Sequence, residues 1–389
     1  MNVLFDFVST QGIFNGGAEY TLRVFDSLYQ AVISNRGDVN IYCLFDRNKA
    51  SSHKRFSYDS IKKEYPRLSI VFFNDSNLEE LIKINKIDVF FIGIGQRYVD
   101  VNFSNLSCKI IMVIHDALYS EEKEGHFSEY LNMLYPVNMN PIKKTVSRLI
   151  NRIRNKNKKE VDVKLFFDAI CNSSNVEIIT VSEYSKNSII VYGGIRKNIK
   201  VFYSPSKIVQ VDKDIESDQL RAFLELKKKY FIIVSSERIL KNAKNALKAV
   251  RIYNELFDDN ICVLTLGMKD SLFDGHYCLP YLSPSDLEHA YKNCYALLYP
   301  SVLEGFGYPP LEVMKYGKPV LSSNVCSMPE ILGDAPSYFS PFYVSDIVRS
   351  IKKLTNNVGY YSQKSMERYK AISNKQNKDL ELLIKYILN

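Results

Sequence analysis

The sequence has no Trp, no pair of cysteines closer than 16 residues and no long uninterrupted apolar run. The missing Trp excludes nothing. The seven cysteines, at 43, 108, 171, 262, 278, 294 and 326, form no CxxC and no zinc-ligand spacing. Most lie in apolar runs such as IYCLF and ICVLTL, so they read as buried free thiols of a reducing compartment. No window of 18 apolar residues occurs, which gives no candidate for a spanning helix. The opening MNVLFDFVST has no basic stretch ahead of its apolar run and reads as a first strand, not a signal peptide. A cytoplasmic protein is the expectation, with peripheral contact to the inner face of the plasma membrane left open. Internal repeats and low-complexity tracts are also lacking.

What is present is globular: 389 residues, 46% hydrophobic and 24% charged, long enough for two domains. The first half alternates dense β-branched and aromatic runs (NVLFDFV, VNIYCLFD, LSIVFFN, IDVFFIGIG, KIIMVIHD, VEIITVSE, NIKVFYSP) with helical patterns. Such runs predict parallel strands covered on both faces. Residues 204–229 turn polar and read as a linker. A second series follows in YFIIVSS, ICVLTLG, CYALLYPS and PVLSSN, and 343–389 reads as helix. The expected fold is α/β, two Rossmann-like βαβ domains facing across a cleft, with boundaries at 1–205 and 206–389. The final helix of 358–389 is a candidate to cross back to the first domain.

The most informative segment is SVLEGFGYPPLEVMKYGKPVLSSNVCSMPE, 301–330. A strand ends near Ser301, and Gly305-Phe306-Gly307 turns into a helix whose first turn suits Pro309 and Pro310. Glycines there allow backbone amides close to a ligand, and a helix start favours an anion. Glu304 and Glu312 flank the element. Eight residues of helix would hold them roughly 12 Å apart at about 1.5 Å per residue. That spacing suits the two ends of an elongated ligand such as a nucleoside diphosphate sugar.

EGFGYPPLEVMKYGKPV is similar to the EX7E region of the GT4 family of retaining GT-B glycosyltransferases, which often reads EGFGxPxLEAMxxGxPV. The resemblance implies Glu304 near the transferred sugar and the amides of Gly305, Phe306 and Gly307 by the sugar and phosphate. It implies hydrogen bonds from the ribose hydroxyls to Glu312. In SSERILKN, 235–242, Arg238 and Lys241 stand at the carboxyl end of a strand, where fixed cations aimed at a departing diphosphate lower the barrier. GT4 enzymes resemble this arrangement and use no metal; Lys241 matches the family lysine, whereas Arg238 lies a few residues later than the usual Arg. Gly16 and Gly17, in NGGAEYTLR, resemble the family's N-terminal glycine loop. His115, in VIHDALY, is a candidate for proton work and resembles the "HD" near the donor sugar; a buried structural His is the alternative. Ser182 resembles the first Ser of the "tvSefS" turn, and Tyr281 and Leu282 resemble the loop that contacts the base.

The implied activity is transfer of a sugar, with retention, from a nucleotide-sugar donor to a glycan or lipid-linked glycan in bacterial surface polysaccharide assembly. Neither a cofactor nor a metal is expected. Asp212-Lys213-Asp214 has the letters of a DxD metal site but sits in the polar linker. Other readings are a sugar-nucleotide epimerase or a non-catalytic subunit supporting a partner transferase; for a phosphorylase no pyridoxal-phosphate lysine is identified. The net charge of +8 is concentrated in 141–164, where nine Lys or Arg oppose two acids. Within it, KKTVSRLINRIRNKNKK (143–159) places Val146, Leu149, Ile150 and Ile153 on one helical face. That pattern fits either an anionic membrane surface or a helix docked on its own domain with a solvated basic face. The stretch lacks aromatics, and no nucleic acid partner is expected.

Overall fold

The computed structural model describes residues 1–12, 16–35, 38–51, 57–73, 77–98, 101–117, 165–207, 209, 211–212 and 214–389. The basic segment 143–159 lies outside them. The chain divides into two compact units, residues 1–207 with 376–389, and residues 208–375.

Unit 1 holds a seven-stranded sheet of β1 (Asn2–Asp6), β2 (Asn40–Phe45), β3 (Ser69–Phe72), β4 (Val89–Ile92), β5 (Lys109–Val113), β6 (Val176–Thr180) and β7 (Ile199–Val201). Their spatial order is β3-β2-β1-β4-β5-β6-β7, and every neighbouring pair is parallel. Parallel strands need a crossover between each pair, and helices such as Gly16–Asn35 and Leu78–Ile84 provide it. All four residues of β4 are buried, as the apolar run VFFI requires of a central strand. A cluster of rings fills one face: Phe5 stacks on Phe91 at 4.9 Å, Phe7 on Phe45 at 5.1 Å, and Phe25 meets both Phe5 and Phe7 edge-on. Each buried Phe contributes about 2 kcal/mol by area removed from water, so this cluster anchors the β1 end of the sheet.

Unit 2 repeats the pattern with β8 (Tyr230–Ile233), β9 (Cys262–Leu266), β10 (His276–Leu279), β11 (Ala296–Tyr299), β12 (Val320–Ser323) and β13 (Ser337–Phe339). The order is β10-β9-β8-β11-β12-β13, again all parallel. In both sheets the chain reverses its direction of growth beside the first strand, between β1 and β4 and between β8 and β11. In open α/β sheets ligands bind outside the carboxyl ends at such a reversal.

Two details differ from the sequence expectation. The edge strands β10 and β13 have no apolar run to announce them, being HYCL and SYF. The polar stretch read as a linker is partly structured: Asp218–Glu225 is a helix capped by Ser217. Asp286 accepts from the amides of Glu216 and Ser217 at 3.0 and 2.9 Å, and His289 bonds the carbonyl of Asp212 at 2.8 Å. Those bonds tie the stretch to the helix Pro284–Asn293. The last turns of the terminal helix Val358–Ile387 belong to unit 1. There Asp379 accepts from the Tyr203 amide at 2.8 Å, Gln376 donates to the Ser204 carbonyl at 2.6 Å, and Tyr386 lies under the Lys200 ammonium.

Candidate active site

The carboxyl edge of unit 2 brings two sequence-distant charges into contact. Lys241 closes a short 3-10 turn (Ile239–Lys241) after β8, and Glu304 lies in the loop after β11. The Lys241 ammonium donates to the Glu304 carboxylate and, at 3.1 Å, to the hydroxyl of Tyr299, with both charged side chains only 15% exposed. Ser301 donates to the same carboxylate at 2.5 Å, and Ser327 donates to the Glu304 carbonyl at 3.0 Å. The two loops are stitched at the backbone by the Val302 amide on the Leu240 carbonyl, 2.9 Å. A largely buried carboxylate with three donors around its residue is firmly placed, because breaking any one of these hydrogen bonds would leave a polar group poorly solvated.

Between Glu304 and Glu312 stand two buried phenols. Tyr299 is held well above the usual phenol range by burial first and then by the Glu304 carboxylate. Tyr291 is raised likewise by burial and then by Glu312. Glu312 sits in the helix Tyr308–Met314, which packs on Pro284–Asn293. The helix begins only at Tyr308, with Pro at its first positions, so Glu304 to Gly307 is loop. The helical rise used to space the two glutamates therefore applies to part of the interval alone. Gly307 has φ of +84°, and a side chain there would collide with the Met328 methyl. Phe306 is 5% exposed, so its ring packs inward and offers no ring face to solvent.

The remaining unit 2 candidates are scattered along the same edge. Arg238 is exposed and joins no ion pair among the described residues; the fold puts Lys241, not Arg238, on Glu304. Tyr281 is 58% exposed and donates its hydroxyl to Glu237, while Leu282 is half-buried.

In unit 1, Gly16 and Gly17 open the helix Gly16–Asn35. Tyr20, one turn on, meets the His115 ring edge-to-face at 5.0 Å, which brings the glycine helix and the histidine together. His115 Nε2 is 2.9 Å from the Gly93 carbonyl. A carbonyl only accepts, so Nε2 carries the proton and Nδ1 the lone pair. Burial pushes the imidazole down to about 4, outweighing the Gly93 bond, and keeps it neutral near pH 7. Two strands away, Asp6 at the end of β1 is fully buried: one oxygen accepts from Tyr98 at 2.6 Å and from the Ser9 amide at 3.2 Å, and the other has no partner. Burial raises its pKa despite those donors. Ser182 is buried and caps the helix Glu183–Gly193 by accepting from the Ser185 amide at 3.0 Å.

Sequence reasoning overlooked Tyr299, Ser301 and Ser327. The signal was available: hydroxyls at 299 and 301 close an otherwise apolar run, ALLYPS, immediately before Glu304. Among the described residues no group of three or more His, Cys, Asp or Glu is arranged to hold a metal ion, and no helix is long and apolar enough to cross a membrane.

Comparison with known proteins follows the same division. Residues 216–376 match the family model for glycosyl transferases group 1. The serotype-specific mannosyltransferase WbdA of Escherichia coli is 36% identical over 98 residues, 25% of this chain and 11% of WbdA. The O-antigen chain mannosyltransferase RfbU of Salmonella typhimurium is 29% identical over 180 residues, 42% of this chain and 46% of RfbU. The chain thus spans about a tenth and under half of these relatives' lengths. Among solved structures, HepE of Anabaena in complex with UDP-glucose superposes with a TM-score of 0.65 at 14% identity, covering 100% of this chain and 98% of HepE. Sucrose-phosphate synthase from Thermosynechococcus elongatus gives 0.64 at 12% identity, covering 99% and 98%. At such identities the likeness is one of fold. Residues 216–376 thus resemble glycosyl transferases group 1, and the two all-parallel Rossmann-like sheets share the GT-B fold of these solved neighbours.

Proposed function

We propose that the protein is a retaining glycosyltransferase that moves a sugar from a nucleoside diphosphate sugar to a glycan or lipid-linked glycan, in assembly of a bacterial surface polysaccharide. The observation that carries this reading is the Lys241–Glu304 contact at the strand reversal of unit 2, inside the EGFGYPPLE segment. Glu304 and the Tyr299 hydroxyl occupy two of the three Lys241 N–H donors, which leaves one for an incoming anion. The similarity of short stretches to O-antigen mannosyltransferases supports the pathway, and the UDP-glucose held by the HepE fold neighbour supports a nucleotide-sugar donor.

In the proposed reaction the bond from the anomeric carbon to the phosphate oxygen breaks and its electron pair leaves with the diphosphate. Lys241 neutralises that growing charge in place of a metal ion, aided by backbone amides of the 305–307 loop. The acceptor oxygen bonds the anomeric carbon on the departing side, and its proton passes to a phosphate oxygen. Glu304 sits by the sugar and Glu312 takes the ribose hydroxyls. The neutral His115, with its basic Nδ1, hydrogen-bonds the sugar and does not titrate during turnover near pH 7. Unit 1 takes the acceptor, and the segment 143–159 holds the protein to an anionic membrane on its cytoplasmic side.

The test is release of nucleoside diphosphate from candidate donors with an extracted lipid-linked acceptor, with and without EDTA, and the anomeric configuration of the product by NMR. Release that persists in EDTA with configuration kept is expected. Inversion would refute retention, loss of turnover in EDTA would refute the role of Lys241, and vesicle pelleting of the protein in low and high salt tests the membrane contact.

A further inference from the structure

We propose that Glu237 reads the nucleobase of the donor and selects guanine; this rests on the nucleotide-sugar reading above. Strands β8, β9 and β10 are parallel neighbours, so the loops that follow them emerge side by side at one edge. Each contributes one part of a small cluster. Glu237 comes from the loop after β8, Gly267 from the loop after β9, and Tyr281 from the loop after β10. The Tyr281 hydroxyl donates to one oxygen of the Glu237 carboxylate. The other oxygen lies over Gly267, where a side chain would begin, and Gly267 has φ of +101°. Glycine at 267 suits this backbone conformation and leaves the carboxylate its place.

The carboxylate is exposed, and among the described residues it joins no ion pair. A tyrosine and a glycine fix a bare anion whose remaining lone pairs face solvent. Its position along the edge gives it a ligand. The charged groups Lys241 and Glu304 mark the strand reversal, and Glu312 rides on a helix packed against Pro284–Asn293. Tyr281 lies three residues before that helix. A nucleotide with its phosphates at Lys241 and its ribose at Glu312 therefore carries its base toward Tyr281 and Glu237. The same loops expose the apolar side chains Ile239 and Leu272, which suit a flat ring.

An ionised carboxylate is an acceptor with two oxygens. Guanine alone among the common bases offers two adjacent N–H donors, the ring N1–H and the exocyclic amino group. Uracil and thymine offer one N–H between two carbonyls, and adenine and cytosine an amino group beside a bare ring nitrogen, so each sets an acceptor against the carboxylate. A site built to receive two donors rejects rings that lack one, since its own oxygen is then left unpaired.

The experiment is calorimetric titration of the full chain with GDP, UDP, ADP, dTDP and inorganic pyrophosphate, for the natural protein and for Glu237→Gln and Tyr281→Phe. Each variant is first checked for an unchanged unfolding temperature without ligand. GDP is expected to bind about tenfold or more tightly than the other diphosphates. Glu237→Gln should erase that margin while leaving UDP, ADP and pyrophosphate unchanged, and Tyr281→Phe should shrink it. A base other than guanine preferred by the natural protein overturns the proposal. So does an equal loss for every nucleoside diphosphate in Glu237→Gln, which would put the carboxylate on the ribose. Binding of one or more diphosphates without dependence on Glu237 overturns the base assignment alone; no binding by any of them overturns the nucleotide-sugar reading with it.

Discussion

The two units share a strand order and differ in what they place at the reversal of their sheets. In unit 2 that edge carries an ion pair, Lys241 with Glu304, partly open to solvent. In unit 1 the equivalent edge carries no such pair among the groups described: Asp6 is buried under the Tyr98 hydroxyl, and the half-buried His115 sits on the Gly93 carbonyl. The same backbone topology thus supplies the location twice, while the loops decide the chemistry. Fixed charge suits the neutralisation of a diphosphate in the proposed reaction. The matched family region, 216–376, falls almost wholly within unit 2.

The largest effect that would break the comparison is on turnover. Lys241→Ala should reduce diphosphate release by about two orders of magnitude, about 3 kcal/mol by analogy with removed oxyanion donors; an unchanged rate would leave unit 2 with no charge of consequence. Next comes stability in unit 1. Tyr98→Phe removes the donor from a buried carboxylate and should lower the denaturant stability of that unit by about 2 kcal/mol, with turnover read separately on the folded fraction. Smaller still is Gly307→Ala, for which the positive φ and the Met328 methyl predict about 1–2 kcal/mol of destabilisation in unit 2. The smallest is the acid response. His115 and His276 are both pushed down to about 4 by burial. Their ordinary unfolded value is near 6.5, so the unfolded chain binds protons first. The stability they give is whole above pH 6.5 and is lost between 6.5 and about 4. Thermal melts across that range should show the slope, and His115→Gln should remove the unit 1 share of it.

Much of the fold was legible because buried parallel strands must be apolar throughout: VFFI, YFII and ALLY announce themselves. The edge strands β10 and β13 did not, since an edge has one neighbour and tolerates His, Tyr and Ser. Residues 211–217 looked like a linker because their partners, Ser285 and Asp286, lie some seventy positions away. In the site, Glu304 and Lys241 were visible as charges after strands, but that they touch each other depends on β8 and β11 being neighbours, a fact of sheet order that the residue pattern does not contain. Arg238 and Lys241 both read as cations after a strand, with Arg238 displaced from the family's usual Arg. The 3-10 turn separates them, turning one toward Glu304 and leaving the other at the surface.

The terminal helix has a consequence for how the chain is made. Because residues 376–389 complete unit 1, a ribosome must finish all of unit 2 before the first unit possesses its last pieces. Until then the Tyr203 amide and the Ser204 carbonyl await Asp379 and Gln376. An early stop ahead of Gln376 therefore strips hydrogen-bond partners from a unit whose strands all lie before residue 202.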